Sequence, residues 1–189
     1  MKKEFSNTIE TKIQSMTNEE VREQLAKYMS ADTSLMPKTT AIEVLRQESF
    51  SARCRYDVLL VDEEGHKTPV AFPDRISRLI YIFTLLHPQG YQRRAAAANN
   101  CQPLQRLYNL LYMKDSKALM KSIERTGFDQ FFSHHVGRSR MAIRLATPHH
   151  ANLIIDYPQK HNGKELIPFV ATGGTVTIDQ SLRNNMSNF

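Results

Sequence analysis

Apolar positions along the chain change their period several times, and each change predicts an element. Ile9, Ile13 and Met16 recur at i, i+4, i+7, and Thr17-Asn-Glu-Glu20 has the form of a capping box before a stripe of Val21, Leu25 and Tyr28 or Met29. A second box, Thr40-Ala-Ile-Glu43, follows the Pro37 break and predicts a short helical segment through Ile42 and Leu45. Residues 53–61 then read as a strand, Asp62-Glu-Glu-Gly65 as a turn and 67–72 as the returning strand. Pro69 places that return at an edge, where no ladder donor is lost. Pro73-Asp74 opens a strongly apolar core helix with Ile76, Leu79, Ile80, Phe83 and Leu86 on its buried side, and His87-Pro88-Gln-Gly90 ends it. The stretch 91–103 carries no decisive pattern. A helix through Leu104, Leu107, Tyr108 and Leu111 follows, and Asp115 or Ser116 caps another through Leu119, Met120 and Ile123 that Gly127 stops.

From 128 to 146 the helical period is sustained. At 100° per residue Phe132, Val136, Ser139, Ile143 and Ala146 share one face, while Ser133, Gly137, Arg140 and Arg144 lie on a neighbouring stripe, with His134 and Arg138 around the far side. No carboxylate occurs from Gln130 to Ala146. After Pro148 the chain turns to strand character: 152–157, a polar basic turn at Gln159-Lys-His-Asn-Gly-Lys164, then 166–171 and 175–178 around Gly173-Gly174. The residues from Asn184 read as a frayed tail.

Charge sharpens this picture. Residues 1–75 hold 11 Lys+Arg against 13 Asp+Glu, a balance of −2, and residues 76–189 hold 14 against 6, a balance of +8. The positive excess therefore lies in the C-terminal part, as expected where a chain meets a polyanion. The start, MKKEFSNTIETK, has no apolar stretch behind its lysines, and the longest apolar run, 79–86, is too short for a bilayer. Cys54 and Cys101 form no Cys-x-x-Cys pair. The expectation is a cytoplasmic protein with no membrane span.

The order hairpin, core helix, two helices, basic helix and closing hairpin resembles winged-helix DNA-binding domains of the OmpR/PhoB effector type. It is more similar to a group of uncharacterised bacterial proteins with a related domain. The residues that carry the resemblance are Arg78-Leu-Ile-Tyr-Ile-Phe-Thr-Leu-Leu-His-Pro-Gln-Gly90, the Leu107-Tyr108 helix, Lys121-Ser-Ile-Glu124, and Val136-Gly-Arg-Ser-Arg-Met-Ala-Ile143 in the place of a recognition helix. It spans about residues 52–182. No receiver domain precedes it, and 91–113 lengthens the usual helix-turn-helix spacing.

Together these readings predict an α+β fold: a helical N-terminal segment over 1–50 for packing or oligomerisation, a winged-helix-like domain over 51–183 with an N-terminal β-hairpin, helical core and C-terminal β-hairpin, and a tail over 184–189. The expected function is transcription regulation by binding double-stranded DNA, without catalysis. Arg138, Arg140 and Arg144 would face the duplex, helped by Ser133 and His134, with Lys160 and Lys164 on the wing. The rival expectation is a non-catalytic protein-interaction module that keeps the fold, with a homodimer formed through the N-terminal helices and the Met-rich content supplying an interface.

Enzyme and metal chemistry find little support. His134-His135 point about 100° apart on a helix and cannot chelate as an i, i+4 pair would; His149-His150, His161 and Asp156 complete no ligand spacing. No Gly-x-Ser-x-Gly elbow or phosphate loop is present. No cofactor is expected.

Overall fold

The computed structural model of the chain describes residues 38–47, 54–88, 91–92, 101–147, 153–155, 159–161, 164–167 and 175–186, with backbone alone at 91–92, 159–161 and 164–167. All of them belong to the unit Pro37–Phe189, distinct from Met1–Met36. The helices expected around Ile9 to Met29 fall outside the described residues, as do His149-His150 and Gly173-Gly174.

The first described element corrects an expectation. Thr39–Arg46 is a strand, β1, and not a helix: Ile42 and Val44 are buried at alternate positions, and β1 pairs antiparallel with β2 (Tyr56–Asp62) in the register Val44↔Val58 and Ile42↔Leu60. The Thr-x-x-Glu pattern is a local signal. It lost to a long strand partner that buries Ile42 and Val44 beside Val58 and Leu60. The domain therefore starts before Thr39 and not at 51.

Strand β2 returns through Asp62, whose carboxylate accepts from the Glu64 and His66 amides, into β3 (Lys67–Pro69). Pro69 sits on an edge strand as the sequence predicts, since β3 pairs with β2 alone at one margin of a four-stranded sheet. The fourth strand, β7 (Thr175–Ile178), comes from the far end of the unit and lies parallel to β1. The expected hairpin of 166–171 with 175–178 is thus replaced by two separate pairings.

Helix α1 (Arg75–Leu86) is the core helix. Asp74 caps it, accepting from the Ser77 amide at 2.7 Å and the Ser77 hydroxyl at 2.8 Å, and His87 closes it through Nδ1 2.8 Å from the Phe83 carbonyl. Leu79 through Phe83 are buried in succession, so the helix is covered on all sides. Helices α2 (Gln102–Tyr112), α3 (Lys117–Thr126) and α4 (Phe128–Ala146) follow, with a two-residue strand β4 (Tyr91–Gln92) between α1 and α2. At α3 the Asp115 carboxylate accepts from the Lys117 amide, while Ser116 turns its hydroxyl to Gln105.

Helices α1 and α4 pack against each other at small residues. Ser139 is fully buried and its hydroxyl lies 2.7 Å from both the Ser77 and His135 carbonyls, so the α1 and α4 backbones approach where a larger side chain would hold them apart. Between α3 and α4 stands a single residue, Gly127, with φ 77° and ψ 144°. A side chain there would meet no atom within 4 Å, so strain alone opposes substitution. Gly127→Ala is expected to cost about 1–2 kcal/mol in a urea unfolding titration.

Beyond α4, residues 153–155 form a turn with an isolated bridge at Ile155, where a strand over 152–157 was expected. The expected basic turn at 159–164 is the hairpin of β5 (Gln159–His161) and β6 (Lys164–Ile167), and β6 also pairs with β4, giving a second sheet ordered β4-β6-β5. The expected frayed tail is also corrected: α5 (Gln180–Met186) runs to Met186, with Leu182 and Met186 buried and the Asp179 carboxylate accepting from the Ser181 amide. The architecture is α+β.

Candidate nucleic-acid interface on the long helix

The buried side of α4 comprises Phe131, Phe132, Val136, Ser139, Ala142 and Ile143, so the helix presents a complementary outer arc. Ser133, His134 and Arg144 lie on that arc and are exposed. Arg144 stands in the last turn and forms no ion pair among the described residues. His134 meets His135 edge-on at 5.0 Å.

The other two arginines are held by the protein itself. Arg138 Nε lies 2.6 Å from Asp74 Oδ2, with its side chain 43% exposed at the margin of the arc. Arg140 Nε donates to the Ile155 carbonyl at 2.6 Å, which fixes α4 to the turn that follows it. The three guanidinium groups thus diverge: Arg144 outward, Arg138 onto the cap of α1, Arg140 onto backbone. Lys160 and Lys164 stand on the two strands of the β5–β6 hairpin, opposite Glu165 and His161. The placement of their side chains lies outside the described residues.

Asp74 ties α1 to α4. Burial alone would raise its pKa, but the hydrogen bonds from Ser77 and the charges of His135 and Arg138 together hold it below the ordinary carboxylate value. His135 Nδ1 stands 3.4 Å from Asp74 Oδ1 without hydrogen-bond geometry, and its ring leans on Phe131 at 4.8 Å. Burial pushes the His135 pKa down; Asp74 opposes that, while His134 and Arg138 add to it. His135 is therefore a packing residue carried neutral at pH 7.

No family model, curated protein or solved structure matches the chain. Among the described residues no three His, Cys, Asp or Glu side chains are grouped to hold a metal ion, and no helix is long and apolar enough to cross a membrane.

Two features of the arc escaped the sequence reading. Met141 and Leu145, 58% and 78% exposed, lie one turn apart on the outer face near Arg138 and Arg144. Their signal was in the same 100° projection, which places them opposite Ser139 and Ile143. The Asp74–Arg138 pair had no sequence signal, because it joins residues 64 positions apart.

Proposed function

We propose that the chain is a non-catalytic, DNA-binding regulator of winged-helix type that docks α4 against duplex DNA with the β5–β6 hairpin beside it. The observation that carries this reading is the β4-β6-β5 sheet. A short strand after the core helix pairs with the inner strand of a hairpin that follows the longest helix, an arrangement that would tether the hairpin as a wing. From Gln130 to Ala146 the outer arc of α4 carries no carboxylate, Asp129 in the first turn being the helix's one acid, and Arg144, which has no ion-pair partner among the described residues, adds the charge that phosphate contacts need. In this reading Arg144, His134 and Ser133 are the helix contacts, Arg138 is a marginal one restrained by Asp74, and Arg140 supports the turn at Ile155 and does not read bases. Lys160 and Lys164 remain the wing contacts.

The test is fluorescence anisotropy with duplex DNA over a salt series. Arg144→Ala is expected to weaken binding to all sequences and to reduce the salt slope by about one, as loss of one phosphate contact does. Arg140→Ala is expected to change stability more than the slope. Equal binding by wild type and Arg144→Ala at every salt concentration would remove α4 from the interface.

A protein partner is the second reading, favoured by the exposed Met141 and Leu145, since methionine and arginine are enriched at protein interfaces. Binding to a protein would depend on Met141 and Leu145 and be weakly sensitive to salt. The anisotropy series, repeated with Met141→Ser and Leu145→Ser together, separates the two.

A further inference from the structure

We infer that the cleft between the first turn of α1 and the end of α2 is a binding site for a small organic anion, a carboxylate or phosphate ester with an apolar body. This inference is independent of the DNA reading. The cleft is about 440 Å³ and is lined by Cys54, Phe72, Asp74, Arg75, Arg78 and Tyr112. That volume lies in the range of small-molecule sites.

Its chemistry is set by two guanidinium groups without strong internal partners. Arg75 is exposed and makes no ion pair among the described residues; its guanidinium sits 5.8 Å from the centre of the Tyr112 ring. The Tyr112 hydroxyl donates to the Arg75 carbonyl at 2.7 Å, so that ring is fixed against α1. Arg78 is only 21% exposed, and its internal contacts are long: Nη1 lies 3.4 Å from the Tyr56 carbonyl and 3.5 Å from Asp57 Oδ1. Its guanidinium lies 5.7 Å from the centre of the Phe72 ring. Asp57 is shared, since its other oxygen accepts from Gln47.

The one carboxylate in the lining is already neutralised. Asp74 spends both oxygens on Ser77 and its charge on Arg138, which approaches from α4. The cap takes the Ser77 amide, and the site rests on the two arginines and not on the helix terminus. Two guanidiniums spaced one helical turn apart present paired N–H donors suited to carboxylate or phosphate oxygens. Phe72 and Tyr112 supply flat apolar walls for the rest of the ligand, and the Cys54 thiol, which donates to the Tyr56 carbonyl at 3.2 Å, completes the lining.

Calorimetric titration of the full chain with phenyl phosphate, benzoate, inorganic phosphate and neutral benzamide tests the site. Phenyl phosphate or benzoate is expected to saturate at millimolar concentration or below, with inorganic phosphate weaker and benzamide silent; whichever of the first two binds tighter assigns the head group. Arg75→Ala, at an exposed position where folding is undisturbed, is expected to weaken that binding at least tenfold, and Arg144→Ala to leave it unchanged. Failure of both aromatic anions to bind, equal binding of benzamide, or an affinity that follows Arg144 and ignores Arg75 overturns the assignment.

Discussion

Truncating Tyr81 to alanine is expected to lower the unfolding free energy by about 3–5 kcal/mol, the range for removing a fully buried aromatic ring. Tyr81 has no exposed surface, and Phe72 lies 5.5 Å from it, ring to ring. Its hydroxyl donates to the Leu153 carbonyl at 2.7 Å, and burial pushes its pKa far above the ordinary phenol value, so it remains a donor at any pH the fold survives. Two effects therefore add: a cavity in the core, and a carbonyl left without a donor. Tyr81→Phe isolates the second and is expected to cost about 1–3 kcal/mol. Urea midpoints with unchanged slopes would separate both from a change in the unfolded state. The loss has a functional side, because Leu153 lies two residues before Ile155, the carbonyl that holds Arg140. Loosening this turn frees the root of the β5–β6 hairpin, so Tyr81→Ala should also weaken any binding that needs the hairpin beside α4.

Asp74→Ala is expected to cost about 2–3 kcal/mol. A lost N-cap accounts for about 1–2 of this and the half-buried pair with Arg138 for about 1. A double-mutant cycle with Arg138→Ala measures the pair directly, and additive losses would show that Asp74 acts through the cap alone. The pH dependence has a definite sign. The Asp74 pKa is depressed in the folded state, so its contribution is present at neutral pH and fades as pH falls through the folded value, below about pH 4. The gap between wild type and Asp74→Ala should narrow there. His135 acts in a higher window. Its pKa lies below the ordinary histidine value, so the unfolded chain binds the proton first and stability declines as pH falls below about 6.5. Removing Asp74, which raises the His135 pKa, should steepen that decline. The same replacement releases Arg138, so a DNA complex of Asp74→Ala should gain salt dependence even as the fold weakens.

The elements most legible in the sequence were those whose information is local. The helix start at Pro73-Asp74, the apolar run of α1, Gly127 as a stop and the 128–146 helix each depend on residues within one or two turns, and the structure places them where the periodicity does. Pro69 fixed its strand at an edge for an equally local reason. What the pattern did not reveal depends on distant partners. Thr40-Ala-Ile-Glu43 is compatible with a helix start until β2 and β7 flank it, and 175–178 look like a hairpin arm until β1 takes them. Leu182 and Met186 carried an i, i+4 signal behind Asp179, but the segment was short enough to pass for a tail. At the candidate interface, helical spacing located the exposed arc and its basic residues. It gave no account of which arginines the protein would keep for itself, because Asp74 and Ile155 reach them only through the fold.

The parallel pairing of β1 with β7 joins nearly the two extremes of this unit, about 130 residues apart. While the chain is being synthesised, Ile42 and Val44 must wait for a neighbour that lies far later in the sequence, and until it arrives β1 offers one bare hydrogen-bonding rim to any other extended segment. Contacts of such long range slow folding. Pairing with β7 covers that rim of β1 and moves the edge of the sheet to β7, a strand of four residues, and so short an edge is a poor template for self-association.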